Sequence, residues 1–144
     1  MARDDTQYTL PRDTDTRNEA AVRAFFRGWD DQDLDAAMAQ CTPDIVYLNQ
    51  PLPPIVGRED VRKLIGSLLE PAKKVRFKLL NLFGYGNLVC AERLDQWDWD
   101  GNGFTLKLPV TGILELTPEG KVKEWREYYD NEHWTKYGGP TLEL

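Results

Sequence analysis

Two stretches of the chain place apolar residues three and four positions apart, the spacing of an amphipathic helix. The first contains Ala20, Ala21, Ala24, Phe25, Phe26 and Trp29. Thr16 followed by Glu19 is a capping-box pattern, so we expect this helix to begin at Thr16. The second stretch, Val61–Leu69, forms one apolar stripe and predicts another helix, which Pro71 ends.

The segment between these two stretches predicts shorter elements. Asp33 is placed to cap a short helix that runs to Cys41. Residues 42–44 have turn chemistry, and residues 45–48 then form a short strand. Residues 50–54 include three prolines, which predict a stiff irregular loop.

From Lys73 onward the apolar residues alternate with polar ones, which is the pattern of β-strands. The phase of the alternation slips between Leu79 and Leu80, and such a slip predicts a β-bulge and a bent strand. Three further strands are predicted at 88–99, 104–116 and 121–129, joined by glycine-containing turns.

Helices followed by a long, bent antiparallel or mixed sheet indicate an α+β fold. A strongly curved sheet wrapped around the N-terminal helices forms a cone whose open end is a deep, apolar pocket. We expect residues 1–15 to be a flexible tail and residues 16–144 to be a single domain.

Composition excludes several classes of function. The net charge of −6 disfavours nucleic acid as a partner, and no apolar run is long enough to cross a bilayer.

Cys41 and Cys90 are interpreted as small buried side chains in a reducing cytoplasm, and this predicts a cytoplasmic protein. The single histidine, His133, is expected on a partly exposed helix or tail, so a histidine triad or histidine-based metal site is disfavoured. There is no glycine-rich nucleotide motif.

Charged residues interrupt the apolar face of the strand at 88–99. Arg93 and Asp95 share a face with Val89, Ala91 and Trp97, so an inward orientation of that face buries the two charges side by side. Burial of charge is costly unless it is paired, which leaves a catalytic role, a structural salt bridge and an outward-facing pair as open alternatives.

The last strand repeats the pattern, since Glu127 lies between Trp125 and Tyr129 on one face. If that face is inward, Glu127 is a second buried carboxylate; the alternative is a solvent-facing Glu127 beside Arg126. Two carboxylates flanking one guanidinium titrate as a coupled group and can serve as acid and base at neutral pH.

A third polar set lies on the first strand. Tyr47 and Asn49 share a face, and a phenol with a carboxamide can hold a water molecule between them. The alternative is that these two residues have no role beyond the strand end on which they lie.

Three segments resemble the limonene-1,2-epoxide hydrolases, a family within the nuclear-transport-factor-2-like and SnoaL-like superfamily. They are Tyr47–Pro54 with Gly57-Arg58, Glu92–Asp95 and Gly120–Asp130, within a matched region from about Ala20 to Trp134. The resemblance implies that water opens an epoxide in one step without metal or organic cofactor, in a homodimer that takes a small hydrophobic epoxide.

The resemblance also implies roles for individual residues. Tyr47 and Asn49 would orient the water, Asp95 would be the general acid, and Arg93 would bridge the two carboxylates. The general base of the family is an Asp directly after a Trp-Arg pair, and this chain has Glu127 there. Trp97, Trp125 and Tyr129 are expected to line the substrate pocket.

Three other functions remain compatible with the sequence. An epoxide-opening cyclase would use a substrate hydroxyl in place of water, and a ketosteroid-isomerase-like enzyme would move a carbon-bound proton. A non-catalytic module that binds hydrophobic ligands is the third, and it predicts that Arg93, Asp95 and Glu127 do not converge.

Overall fold

The computed structural model describes residues 13–142 of the chain, with side chains described from residue 16. Its helices are α1 (Asp13–Asp30), α2 (Leu34–Met38), α3 (Arg58–Leu69) and α4 (Asn131–Lys136). Its strands are β1 (Cys41–Asn49), β2 (Ile55–Val56), β3 (Lys74–Tyr85), β4 (Leu88–Asp98), β5 (Leu106–Leu116) and β6 (Val122–Tyr129). The predicted tail falls on residues outside the described range, except that residues 13–15 belong to α1.

The strands form one mixed six-stranded sheet in the order β2-β1-β6-β5-β4-β3. Neighbouring strands are antiparallel except for β1 and β6, which are parallel. Helix α1 packs against β3 and β4, and α3 packs against β1, so the helices lie on the inner face of the sheet. The α+β fold predicted from the sequence is confirmed.

The inner face of α1 follows directly from its sequence. Val22, Phe25, Phe26 and Trp29 are spaced by three and four residues, and all are at most 4% exposed. These side chains pack with the inward residues of the sheet and with the apolar stripe of α3 in a single core. Burial of such large side chains is the main stabilising contribution of the helix.

The predicted phase slip in β3 is a β-bulge. Leu79 pairs with Arg93 and Asn81 pairs with Glu92, so Leu80 has no partner on β4. The bulge turns Leu80 outward, where 48% of it is exposed, and the strand bends around the core.

Two sequence predictions near the N-terminus are wrong. Helix α1 begins before Thr16, and the Glu19 carboxylate accepts a hydrogen bond from the backbone N–H of Gly84 at 3.0 Å, so the capping box does not form. The side chain of Asp33 does cap α2, but the helix ends at Met38 and Cys41 already belongs to β1.

Residues 42–44 are also part of β1, not a turn. Pairing with β6 is interrupted between Cys41 and Val46, and this irregular section accommodates Pro43 within the strand. Of the two cysteines, Cys41 is buried as predicted, whereas Cys90 is half-buried on the outer face. His133 lies half-exposed on α4, as predicted.

Candidate active site

Three charged side chains converge on the inner face of the sheet. Arg93 and Asp95 come from β4, and Glu127 comes from β6, with β5 between the two strands. Their exposed fractions are 2%, 6% and 3%, so of the alternatives that the sequence left open both strand faces have the inward orientation. Isolated buried charges would be strongly destabilising, and the three are instead paired with one another.

The Arg93 guanidinium donates two hydrogen bonds to each carboxylate. Nε and Nη2 donate to the two oxygens of Asp95, both at 2.9 Å. Nη2 also donates to Oε1 of Glu127 at 2.7 Å, and Nη1 donates to Oε2 at 3.2 Å. Bidentate pairing with a planar guanidinium fixes both carboxylates in position and orientation. We refer to Asp95, Arg93 and Glu127 as the carboxylate–arginine unit.

Gly112 makes this arrangement possible. It is paired with Ala91 on β4 and with Glu127 on β6, and it therefore lies beneath the line from Arg93 to Glu127. A Cβ at this position would lie 2.8 Å from both Nη1 of Arg93 and Oε2 of Glu127. The sequence did signal this close approach, because an isolated glycine inside a strand often marks such a site, but it was not among the predicted site residues.

Tyr47 and Asn49 lie on β1, directly beside the carboxylate–arginine unit. Asn49 is the register partner of Glu127, and Tyr47 is the register partner of Trp125, on which its ring stacks at 4.2 Å between centroids. Both side chains are at most 5% exposed. Within residues 13–142, Oδ1 of Asn49 has no hydrogen-bond partner, so it remains able to accept a hydrogen bond from a small polar molecule.

Two phenylalanines support the guanidinium from below. The Arg93 Cζ lies 4.2 Å from the ring centroid of Phe26 on α1 and 5.8 Å from that of Phe77 on β3. Cation–π contacts and two bidentate pairs together hold Arg93 in one place.

Burial governs the protonation of the unit. Burial raises the pKa of Glu127 to about 7; Arg93 opposes this rise, while the charge of Asp95 adds to it. Burial likewise raises the pKa of Asp95, and the Arg93 cation opposes this rise. Burial also disfavours the Arg93 cation, but the two carboxylates outweigh this effect and its pKa lies above the usual value. The unit can therefore hold one proton shared between two carboxyls at neutral pH.

The two phenols beside the unit keep their protons. Burial raises the pKa of Tyr47 well above its usual value, and the nearby Glu127 raises it further. Burial also raises the pKa of Tyr129, which the Asn49 side chain opposes by a hydrogen-bonding interaction. Both hydroxyls are therefore neutral hydrogen-bonding groups at physiological pH.

The carboxylate–arginine unit lines a pocket with about 460 Å³ of empty space, part of it at the open mouth. The predicted pocket residues Trp97, Trp125 and Tyr129 all line it, together with Tyr47 and Asn49. The sequence prediction did not include the lining residues that come from α1, α3, α4, β3, β5 and the C-terminal segment. These residues are Phe26, Trp29, Leu68, Phe77, Leu108, Val110, Trp134 and Leu142.

Within the described residues, no three His, Cys, Asp or Glu side chains group in a way that could hold a metal ion. No helix in the same part of the chain is long and apolar enough to span a bilayer.

The sequence matches one family model, the limonene-1,2-epoxide hydrolase catalytic domain, over residues 16–137. This range contains every residue of the carboxylate–arginine unit as well as Tyr47 and Asn49.

Solved structures share the fold. An epoxide hydrolase from M. tuberculosis, described as similar to limonene-1,2-epoxide hydrolase, is 25% identical, with a TM-score of 0.71 over 85% of this chain and 89% of that one. A candidate SnoaL-like polyketide cyclase from Jannaschia sp. is 18% identical, with a TM-score of 0.79 over 92% and 99% of the two chains. A candidate ketosteroid isomerase from Kribbella flavida is 17% identical, with a TM-score of 0.68 over 81% and 79%.

Proposed function

The chain belongs to the limonene-1,2-epoxide hydrolase family, and from this we propose that it is a cofactor-independent epoxide hydrolase acting on a hydrophobic epoxide. The observation that supports this most strongly is the Arg93 guanidinium, buried and doubly hydrogen-bonded to both Asp95 and Glu127. Two carboxyls held in fixed positions at the floor of an apolar pocket satisfy the main requirement for concerted acid and base catalysis.

Glu127 is the proposed general base. Asn49 is its register partner on β1, and Tyr47 lies one pleat away, so a water molecule held by these two side chains lies next to the carboxylate. That water donates one hydrogen bond to Oδ1 of Asn49 and one to the Glu127 carboxylate, so a lone pair on its oxygen points away from both acceptors. A base with a pKa near 7 is well matched to proton abstraction near neutral pH.

Asp95 is the proposed general acid. The water oxygen forms a bond to one epoxide carbon while the bond between that carbon and the ring oxygen breaks. One water proton passes to Glu127, and the proton of Asp95 passes to the ring oxygen, which gives a vicinal diol. The reactive form of the unit is therefore the singly protonated one with the proton on Asp95.

Arg93 keeps its charge throughout and acts on both carboxyls. Each turnover leaves Glu127 protonated and Asp95 ionised, so one proton must return from the first to the second before the next cycle. Because Arg93 contacts both carboxyls, transfer of this proton from Glu127 to Asp95 leaves the total charge beside the guanidinium unchanged. Arg93 keeps its hydrogen bonds to both residues before and after the transfer.

The alternatives are less well supported. A binding module without catalysis predicts that Arg93, Asp95 and Glu127 do not converge, whereas they lie within hydrogen-bond distance. A ketosteroid-isomerase-like reaction needs a base that approaches a carbon-bound proton, whereas Tyr47 and Asn49 beside Glu127 suit a base that acts on a bound water molecule. An epoxide-opening cyclase differs only in its nucleophile, which is a substrate hydroxyl in place of water. Product analysis distinguishes it from a hydrolase.

Product analysis in ¹⁸O-labelled water tests the proposal. With excess enzyme and an apolar epoxide, we expect a diol that contains one labelled oxygen after a single turnover. Because the proposed step has no covalent intermediate, the carboxylates of Asp95 and Glu127 should remain unlabelled by mass spectrometry. An unlabelled cyclic ether from a hydroxy-epoxide would indicate a cyclase, and no turnover of any epoxide would refute the proposal.

We further propose that the chain forms a homodimer through the outer face of the sheet. Phe83 and Tyr85 on β3 and Leu88 on β4 are 60%, 64% and 39% exposed on that face, and Tyr85 and Leu88 are register partners, so the three form a cluster of exposed apolar side chains. Phe83→Arg should shift sedimentation toward a monomer, and Lys63→Ala, exposed on α3 away from the outer face of the sheet, is the control. A monomeric wild-type protein would contradict this part of the proposal.

A further inference from the structure

The pocket lining is aromatic to an extent that an apolar substrate does not require. Two of its aromatic residues come from α1, Phe26 and Trp29, and one comes from α4, Trp134. Five come from the strands: Tyr47, Phe77, Trp97, Trp125 and Tyr129. Four aliphatic residues complete the apolar wall. We propose that the substrate is an epoxide with an aryl ring close to the oxirane, an inference that rests on the function proposed above.

The charged part of the lining is confined to the reaction centre. Its amide and charged members are Asn49, Arg93, Asp95 and Glu127, and all four belong to the floor that would hold water and epoxide. The wall above that floor has no charged side chain, and its tryptophans contribute only indole N–H groups, so the part of the substrate away from the oxirane is uncharged.

The rings of the wall form a network of edge-to-face contacts. Trp97 meets Phe77 at 5.6 Å and 80°, and it meets Trp134 at 5.4 Å and 87°. Trp29 meets Phe77 at 5.1 Å and 89°. A flat ring inserted among these side chains continues the same geometry, because aromatic pairs prefer offset-stacked or edge-to-face arrangements.

Apolar burial alone does not distinguish aryl from saturated substrates. A cyclohexyl group exposes at least as much apolar surface as a phenyl group of the same connectivity, so the hydrophobic effect gives it no disadvantage. A preference for phenyl must therefore come from ring-to-ring contacts, which a saturated ring cannot make.

A matched pair of epoxides tests the proposal. In (2,3-epoxypropyl)benzene a methylene group separates the ring from the oxirane, so its intrinsic reactivity matches that of (2,3-epoxypropyl)cyclohexane. We expect kcat/KM for the phenyl compound to exceed that for the cyclohexyl compound by about tenfold. This factor corresponds to the free energy of one or two aromatic contacts. Equal values, or a preference for cyclohexyl, would overturn the assignment while leaving epoxide hydrolysis intact.

Two tryptophan variants test which residue gives rise to the preference for the phenyl compound. Trp97→Leu removes a ring that lines the pocket, and the phenyl preference should fall to about twofold or less through loss of activity on the phenyl compound. Trp99→Leu is the control, because Trp99 stacks on Trp97 at 5.1 Å but does not line the pocket. Full retention of the preference in Trp97→Leu would contradict its origin in the aromatic wall.

Binding of the products separates this inference from the proposed function. If neither epoxide is hydrolysed, the proposed function fails, and calorimetry with 3-phenylpropane-1,2-diol and 3-cyclohexylpropane-1,2-diol still tests the pocket. Binding of the phenyl diol about tenfold more tightly supports the aryl assignment. Equal affinities, or tighter binding of the cyclohexyl diol, overturn it.

Discussion

Asn49 lies directly opposite Glu127 in the parallel β1–β6 pair, and both side chains are 3% exposed. This register places a carboxamide oxygen without a partner in the described residues next to a carboxylate that Arg93 fixes from the other side. A backbone pairing thus positions a proposed water-binding group and a proposed base, without any long or flexible side chain between them.

Substitution of Gly112 should disrupt the unit without removing any of its charges. In Gly112→Ala the new Cβ meets Arg93 and Glu127 at 2.8 Å, so the ion pair must move apart. A displacement near 1 Å predicts a loss of kcat of about 100-fold, together with a lower melting temperature. Activity and thermal unfolding measure these effects, with the neighbouring outward-facing Thr111→Ala as control; wild-type activity in Gly112→Ala would contradict the role of the glycine.

Shortening the proposed base should also be costly, although Asp is the residue found in the family at this position. In Glu127→Asp the carboxylate retracts by one C–C bond and can no longer keep its contacts of 2.7 and 3.2 Å with Arg93. We expect kcat to fall by about 100-fold, measured with the best epoxide substrate. Activity equal to wild type would show that the site does not depend on the longer side chain.

The stability of the protein should fall between weakly acidic and neutral pH. The pKa of Glu127 is raised from 4.5 to about 7, so between these values the folded state binds more protons than the unfolded state, and unfolding becomes easier as pH rises. The full effect is on the order of 3 kcal/mol. Urea unfolding at pH 5 and pH 8 should show a smaller decrease for Glu127→Gln than for wild type or the exposed Glu92→Gln. Parallel decreases in all three would contradict a raised pKa.

The alternation of residues along the strands grouped the charged residues with apolar neighbours but did not decide which face is inward. The period of two puts Arg93 and Asp95 on one face of β4 and Glu127 beside Trp125 on β6, and the phase slip at Leu80 predicts the bulge that bends β3. The roles of these residues came from the family resemblance. Convergence of the two strands depends on their separation by β5 and on Gly112, and no local pattern specifies that pairing.

The other differences between the sequence predictions and the structure have physical causes. Pro43 and Asp44 are typical turn residues, but a gap in the β1–β6 pairing allows them to lie within a strand. The pocket-lining Phe26 was indistinguishable from a core residue, because an amphipathic stripe has the same pattern whether it meets other side chains or an empty pocket. Trp134 reaches the pocket from a helix whose position depends on tertiary contacts.

Turnover by Asp95→Asn, compared with its melting temperature, tests the proposed mechanism most directly. Asparagine cannot donate the proton and offers Arg93 only one of the two acceptor oxygens of Asp95, so we expect kcat to fall by about 100-fold or more in a variant that still folds, with a lower melting temperature. Glu92→Gln, on the outer face of the same strand, should behave as wild type in both measurements. Unchanged epoxide turnover in a folded Asp95→Asn variant would contradict the assignment of Asp95 as the general acid.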